Sequence, residues 1–215
     1  MTPLPALPDN FAAALKLIDD AHAEDPRTTP SADGSSGSDA AVPNELHYAR
    51  EMTRWLAVRC PDASPTLQLA CRAQHFRRWE IPRDSFPMTR AGYLTWRAKQ
   101  KTQAAHKIKT LLLSSSPSPS SPPLSEADVD RVAALVRKEN LAADTEAQAL
   151  EDVACLVFLD GQLDAFGRRD DVDEAKAIGI LRKTWAKMSP RGREIALEMD
   201  LSEGSRALVA KALAE

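Results

Sequence analysis

"NELHYAREMTRWLAV" (residues 44–58) is the stretch whose reading decides the fold class. Leu46, Met52, Trp55 and Leu56 recur at the three- and four-residue spacing of one helix face, and no alternation of apolar and polar residues competes with it. Upstream, "NFAAALKLIDDAHA" (10–23) repeats the pattern with Phe11, Leu15 and Ile18. Downstream, "SPTLQLACRA" (64–73) leads a stripe of Leu67, Ala70, Cys71 and Gln74. Helix starts follow the same logic: Ser125 with Asp128, Thr145 with Gln148 as a capping box, and Ser189 with Pro190 at the first helical position. "LDGQLD" (159–164) contains Asp-Gly but sits inside a helical pattern, so it does not read as a hairpin turn. The expected fold is all-α, a single-domain helical bundle of about eight helices.

At 215 residues and 43% hydrophobic, the chain suits one domain over residues 1–215 with its core at 9–213. Two Ser/Pro-rich stretches, 27–43 and 114–123, cannot bury enough surface to order themselves and read as insertions into that domain. "MTPLPALPDNF" has no basic region followed by an apolar run, and nothing approaches the roughly 20 apolar residues that span a bilayer. A cytoplasmic protein without a membrane segment is expected. Cys60, Cys71 and Cys155 form neither an even set nor a CxxC, which argues against disulfides and thiolate zinc sites.

Net charge is only −3, yet it is polarised along the chain. Residues 72–109 carry ten basic residues against two acids, and residues 139–174 carry eleven acids against two bases. One reading has the two halves neutralising each other across helix contacts. The other makes the basic half an anion pocket. Arg77, Arg78, Arg83 and Arg97 supply the planar forks that suit phosphate, and Trp79, Tyr93 and Trp96 supply faces for stacking.

Four further residues raise a question of partners. Asp152 lies early in "LEDVACLVFL" (150–159), a segment apolar almost all round, so it must cap a helix or face a cation. His75 closes the helix of residues 64–73 and is expected to project toward the interior; Glu45 and Tyr48 stand one turn apart and can point at the same centre. His75, Asp152, Glu45 and His106 together would make a mixed nitrogen and oxygen set for a divalent metal, with Glu45 and Asp152 as the catalytic carboxylates.

"IDDAHAEDP", "RAQHFRRWEIPR", "FPMTRAGYLTWR", "LEDVACLVFL" and "KTWAKMSPRG" resemble the family called domain of unknown function 4202, over nearly the whole chain outside the two insertions. Some members carry the label glutamyl-tRNA synthetase. "KMSPR" (187–191) is similar to the KMSKS loop of class I synthetases, but no HIGH motif or nucleotide-binding βαβ unit accompanies it, and the chain is too short for a working aminoacyl-tRNA synthetase. A more distant resemblance is to the HD superfamily of metal-dependent phosphohydrolases, in the order Glu45 or Tyr48, His75, His106, Asp152. The pattern departs where Phe76 replaces the aspartate after the histidine and where the first histidine is missing. This resemblance implies an HD-like fold, a divalent metal, and a phosphate-containing small molecule or nucleotide as ligand and substrate. The alternative is a non-catalytic RNA- or nucleotide-binding module using residues 72–109.

Overall fold

The computed structural model describes residues 3–29, 41–114, 122–164 and 173–214. The structure is all-α: among the described residues, nine helices and one pair of two-residue strands. The helices are α1 (Asp9–His22), α2 (Asn44–Arg59), α3 (Pro65–Arg72), α4 (Arg90–Ser114), α5 (Glu126–Arg137), α6 (Thr145–Val157), α7 (Glu174–Lys187), α8 (Pro190–Leu197) and α9 (Glu203–Leu213). Strands β1 (Thr28–Thr29) and β2 (Val42–Pro43) pair antiparallel, with Thr28 opposite Pro43. Sequence periodicity does not foresee so short a pair. It joins the two ends of the first Ser-rich stretch, whose residues 30–40, like 115–121 of the second, lie outside the described residues.

Helix α6 explains the bundle. Ala147, Ala149, Leu150, Val153, Cys155, Leu156 and Val157 are all buried, so the helix has no solvent stripe and must be surrounded. It packs against α2, α3, α5, α7 and α8, while α4 lies along α5 and α1 along α3. Fully buried Ile18, Met52, Leu56, Leu67, Ile108 and Leu150 belong to one apolar cluster running from Phe11 to Ala212. Truncating one of them, such as Leu150→Ala, costs roughly 2–5 kcal/mol because the close-packed core collapses only in part.

Local starts agree with the sequence at two of three points. Ser125 Oγ accepts from Asp128 N, and Ser189 Oγ accepts from Gly192 N ahead of Pro190. At α6 the cap is Asp144, not Thr145: its Oδ1 accepts from Glu146 N at 3.0 Å and Ala147 N at 3.1 Å. A carboxylate outcompetes the neighbouring hydroxyl for two helix amides, which places Thr145 inside the helix. After α6 the helix widens into a π-turn at Phe158–Gln162, the place of the Asp-Gly pair. Among the described residues, no helix is long and apolar enough to cross a membrane.

Candidate functional site

The segment 73–83 after α3 builds one wall of a broad cleft. His75 (φ 62°) and Arg77 (φ 53°) both adopt the left-handed conformation, which costs a residue with a Cβ about 1–2 kcal/mol. Packing on either side enforces it. Arg72 clamps Asp19 through two bonds at 2.6 and 2.8 Å, Phe76 is buried edge-on to His22, and Trp96 Nε1 donates to the Ile81 carbonyl at 2.9 Å. Anchored so, the turn buries Gln74 and Phe76 and brings His75 and Arg78 to the cleft. Strained backbone at non-glycine residues concentrates at sites of function. His75 therefore does not end the helix, as its place in the sequence suggests; α3 stops at Arg72 and His75 sits in the turn beyond.

The floor is the first two turns of α2. Asp25 holds its start: the Glu45 amide donates to Asp25 Oδ2 at 3.1 Å, and Arg27 bridges Asp25 to Glu45 Oε1. Tyr48, one turn on, stacks on His75 with ring centroids 4.3 Å apart and planes 18° from parallel. The π-turn forms the far wall with Asp160, Gly161 and Gln162. The space enclosed is about 1120 Å³. Next to it, a recess of about 30 Å³ shares His75, Arg78, Ile81 and Gln100 with the cleft and adds Arg97, Lys101 and Lys138. Among the described residues, no carboxylate lines that recess.

The electrostatics are lopsided. Burial, then Arg78 and Arg97, hold the His75 imidazole well below its usual range, so it is neutral. Burial and the charge of Arg97 also weaken the hold of Arg78 on its own proton. Arg78 contacts the His75 ring nitrogens at 3.2 and 3.3 Å and lies over the Trp96 ring, 5.1 Å from its centroid. Neither Arg78 nor Arg97 has an ion-pair partner among the described residues. Across the floor, burial pushes the Glu45 carboxyl up to about 8, against the pull of Arg78 and Arg27.

The other sequence candidates are less free: Arg77 borders the recess and Arg83 and Trp96 the cleft, but each is already engaged. Arg77 pairs with Glu24 and Glu80, and Arg83 donates to the carbonyls of Phe86 (3.0 Å) and Pro87 (2.9 Å). Trp79 lies under Arg77, and Trp96 is 6% exposed beneath Arg78 and Arg83. Tyr93 is exposed and tilted against Trp96 outside the cleft lining. His106 is exposed on α4.

Asp152 is fully buried and fully engaged. Its carboxylate accepts from Arg59 Nε (2.7 Å), Ser189 Oγ (2.5 Å), Ser189 N (2.8 Å) and Gln148 Nε2 (3.0 Å). Arg59 closes the C-terminal end of α2 and Glu45 opens its N-terminal end, about 20 Å apart along the helix axis at 1.5 Å per residue. The expected set of His75, Glu45, His106 and Asp152 therefore does not come together, and among the described residues no three His, Cys, Asp or Glu side chains gather as metal ligands. The donor set does not fit a divalent metal.

The two charged halves form few direct contacts of opposite charge. Among the described residues, no ion pair joins residues 72–109 to 139–174: Arg72 goes to Asp19, Lys109 to Asp130, Asp152 to Arg59, and Glu151 to Lys138 and Lys187. Among the described residues, the basic segment is therefore not neutralised by direct ion pairs with the acidic one; Lys101 feels the Glu151 charge without pairing with it. Sequence reasoning missed Asn44, Gln100 and Lys101; a glutamine buried on an otherwise basic helix face carries no periodic signal. Gly161 within a helical pattern was the one local hint of the far wall.

A family model described as Domain of unknown function (DUF4202) matches residues 12–209. The chain belongs to that family. In this DUF4202 member the matched span holds every residue of the cleft and recess named above. No curated protein and no solved structure matches the chain.

Proposed function

We propose that this DUF4202 protein binds a small phosphate-containing molecule, with Arg78, Arg97 and Lys101 taking the anion. The observation that carries the reading is Arg78 and Arg97 together, two guanidiniums beside a neutral histidine in a recess lined by no carboxylate among the described residues, where the Arg97 charge acts against that of Arg78. Bringing like charges together is unfavourable unless an anion joins them, and a phosphate accepts from several guanidinium N–H groups at once. Lys101, whose proton affinity is lowered by burial and then by Lys138 and Arg97, adds a third cation.

A metal-dependent hydrolysis through His75 and Asp152 draws no support from this geometry, because the four contacts to the Asp152 carboxylate oxygens leave it committed to Arg59, Ser189 and Gln148. An RNA-binding face has less in its favour. Of the ten basic residues in 72–109, Arg72, Arg77, Lys107 and Lys109 are paired with carboxylates and Arg83 is held by carbonyls.

The test is calorimetric titration of inorganic phosphate into wild type, Arg78→Ala, Arg97→Ala and the surface control Arg191→Ala. Saturable binding that both recess variants lose and the control keeps is the expected result. Binding that survives in Arg78→Ala and Arg97→Ala, or none in wild type, overturns the proposal.

A further inference from the structure

We infer that the N-terminal end of α2 is a subsite for hydroxyl groups, so that the ligand is a phosphorylated polyol, with a ribose phosphate as its smallest suitable form. This rests on the anion reading and adds what lies beyond the phosphate. Among the described residues, the buried side-chain polar atoms without a hydrogen-bond partner are His22 Nδ1, Asn44 Oδ1, Glu45 Oε2 and Gln100 Oε1. Asn44, Glu45 and Gln100 all border the one cleft. Asn44 Oδ1 and Gln100 Oε1 are acceptors; Glu45 Oε2, the free oxygen of a carboxyl that keeps its proton up to about pH 8, can donate as well as accept. Buried polar atoms left without partners are costly and uncommon in folded proteins, so their concentration at one cavity calls for a ligand whose groups both donate and accept.

The burial is firm where it matters: Glu45 is 4% exposed and Gln100 8%. Glu45 is also fixed in place, because Oε1 is held by Arg27 and its backbone amide by Asp25, which leaves Oε2 as the free end. Gln100 turns its Nε2 toward the Ile81 carbonyl at 3.4 Å, which assigns the oxygen to the orphan position. Gln100 borders both spaces, so it stands where an anion near Arg78 would carry its next atoms.

Three donor chemistries compete, and the surroundings separate them. An ammonium group would lie among Arg27 and Arg78, which line the same cleft, and a carboxyl whose proton leaves only near pH 8 gives it little in return. A nucleobase needs an aromatic face; Tyr48 already stacks on His75, and Trp96 already carries Arg78 and Arg83. Neutral hydroxyls fit: each both donates and accepts, so they satisfy the amide oxygens of Asn44 and Gln100 and the protonated Glu45 carboxyl alike, and they bring no charge. The cleft, at about 1120 Å³, is ample for a sugar and leaves room for a larger group attached to it.

The experiment compares affinities of the full chain for inorganic phosphate, ribose 5-phosphate, 2-deoxyribose 5-phosphate, O-phosphoethanolamine and adenosine 5′-monophosphate. Ribose 5-phosphate is expected to bind roughly tenfold tighter than phosphate, with the deoxy sugar several-fold weaker than ribose. Glu45→Ala should erase the advantage of the sugar while phosphate binds as well or better. Gln100→Leu, outside the Asp25–Arg27 network, provides a second route should Glu45→Ala not fold. Adenosine monophosphate equal to or tighter than ribose 5-phosphate identifies the polyol as the ribose of a nucleotide; weaker binding identifies a free sugar phosphate.

Equal affinity for phosphate and ribose 5-phosphate overturns the hydroxyl subsite and leaves the anion site standing. Tighter binding of the amine, or adenosine monophosphate binding while ribose 5-phosphate gains nothing over phosphate, overturns it as well. Absence of phosphate binding removes the anion reading and this inference together.

Discussion

The two ends of α2 set an arginine near a carboxylate with opposite results. At the C-terminal end, Arg59 meets Asp152, and Ser189 and Gln148 complete the carboxylate's partners. At the N-terminal end, Glu45 keeps one oxygen unpartnered, and Arg78, repelled by Arg97, feels the Glu45 charge but forms no ion pair among the described residues. A closed network binds parts of the chain together; an open one holds unfavourable chemistry in place for something else. Buried ionic groups tell stability from function only when their partners are counted.

The sharpest way to break the comparison is Asp152→Ala. It leaves Arg59, 16% exposed at its side chain, without its partner, and removes the acceptor for the first amide of the turn into α8. A loss of about 3–5 kcal/mol in denaturant unfolding is expected. Gly192→Ala probes the same end from the other side. A Cβ there would lie 2.6 Å from the Asp152 carboxyl carbon. Overpacking of that kind costs about 1–3 kcal/mol. A loss at either site no larger than that of an exposed surface change would show the network to be dispensable.

The open end should behave in reverse. Arg78→Met keeps bulk over Trp96 and removes a charge that Arg97 repels, so stability is expected to hold or rise while phosphate binding falls at least tenfold. A thermal midpoint that drops sharply in Arg78→Met would mean the arginine serves the fold.

Glu45 gives the same contrast a pH axis. Its folded-state value of about 8 lies above its ordinary 4.5, so the native protein holds a proton that the unfolded chain has released between those limits. Its contribution is greatest below about 4.5 and declines as pH rises through about 8. Glu45→Gln should flatten that decline in unfolding free energy measured from pH 5 to 8; an unchanged slope would contradict the assignment. The smallest effect belongs to Arg77→Ala. Its partners Glu24 and Glu80 have side chains 59% and 26% exposed, so the change should cost under about 1 kcal/mol; Arg77 borders the recess but is committed to those two carboxylates, so phosphate binding should fall less than in Arg78→Met.

The all-α class, the buried α6 and the caps at Ser125 and Ser189 were determined by the sequence alone, because helix periodicity and cap chemistry act over three or four residues. The residue types of the site were legible too: Glu45, His75, Arg78 and Arg97 all border the cleft or its recess. Which of the candidates belong together was decided only by tertiary structure. Asp152 and Glu45 read as one carboxylate pair along the chain, yet α2 sends them to neighbourhoods about 20 Å apart. Arg77 and Arg78 are adjacent in sequence, but the left-handed turn at His75 and Arg77 leaves one on a surface ion pair and brings the other to the cleft. Pairing is a property of three-dimensional distance, and spacing along a chain predicts it only within a single helix.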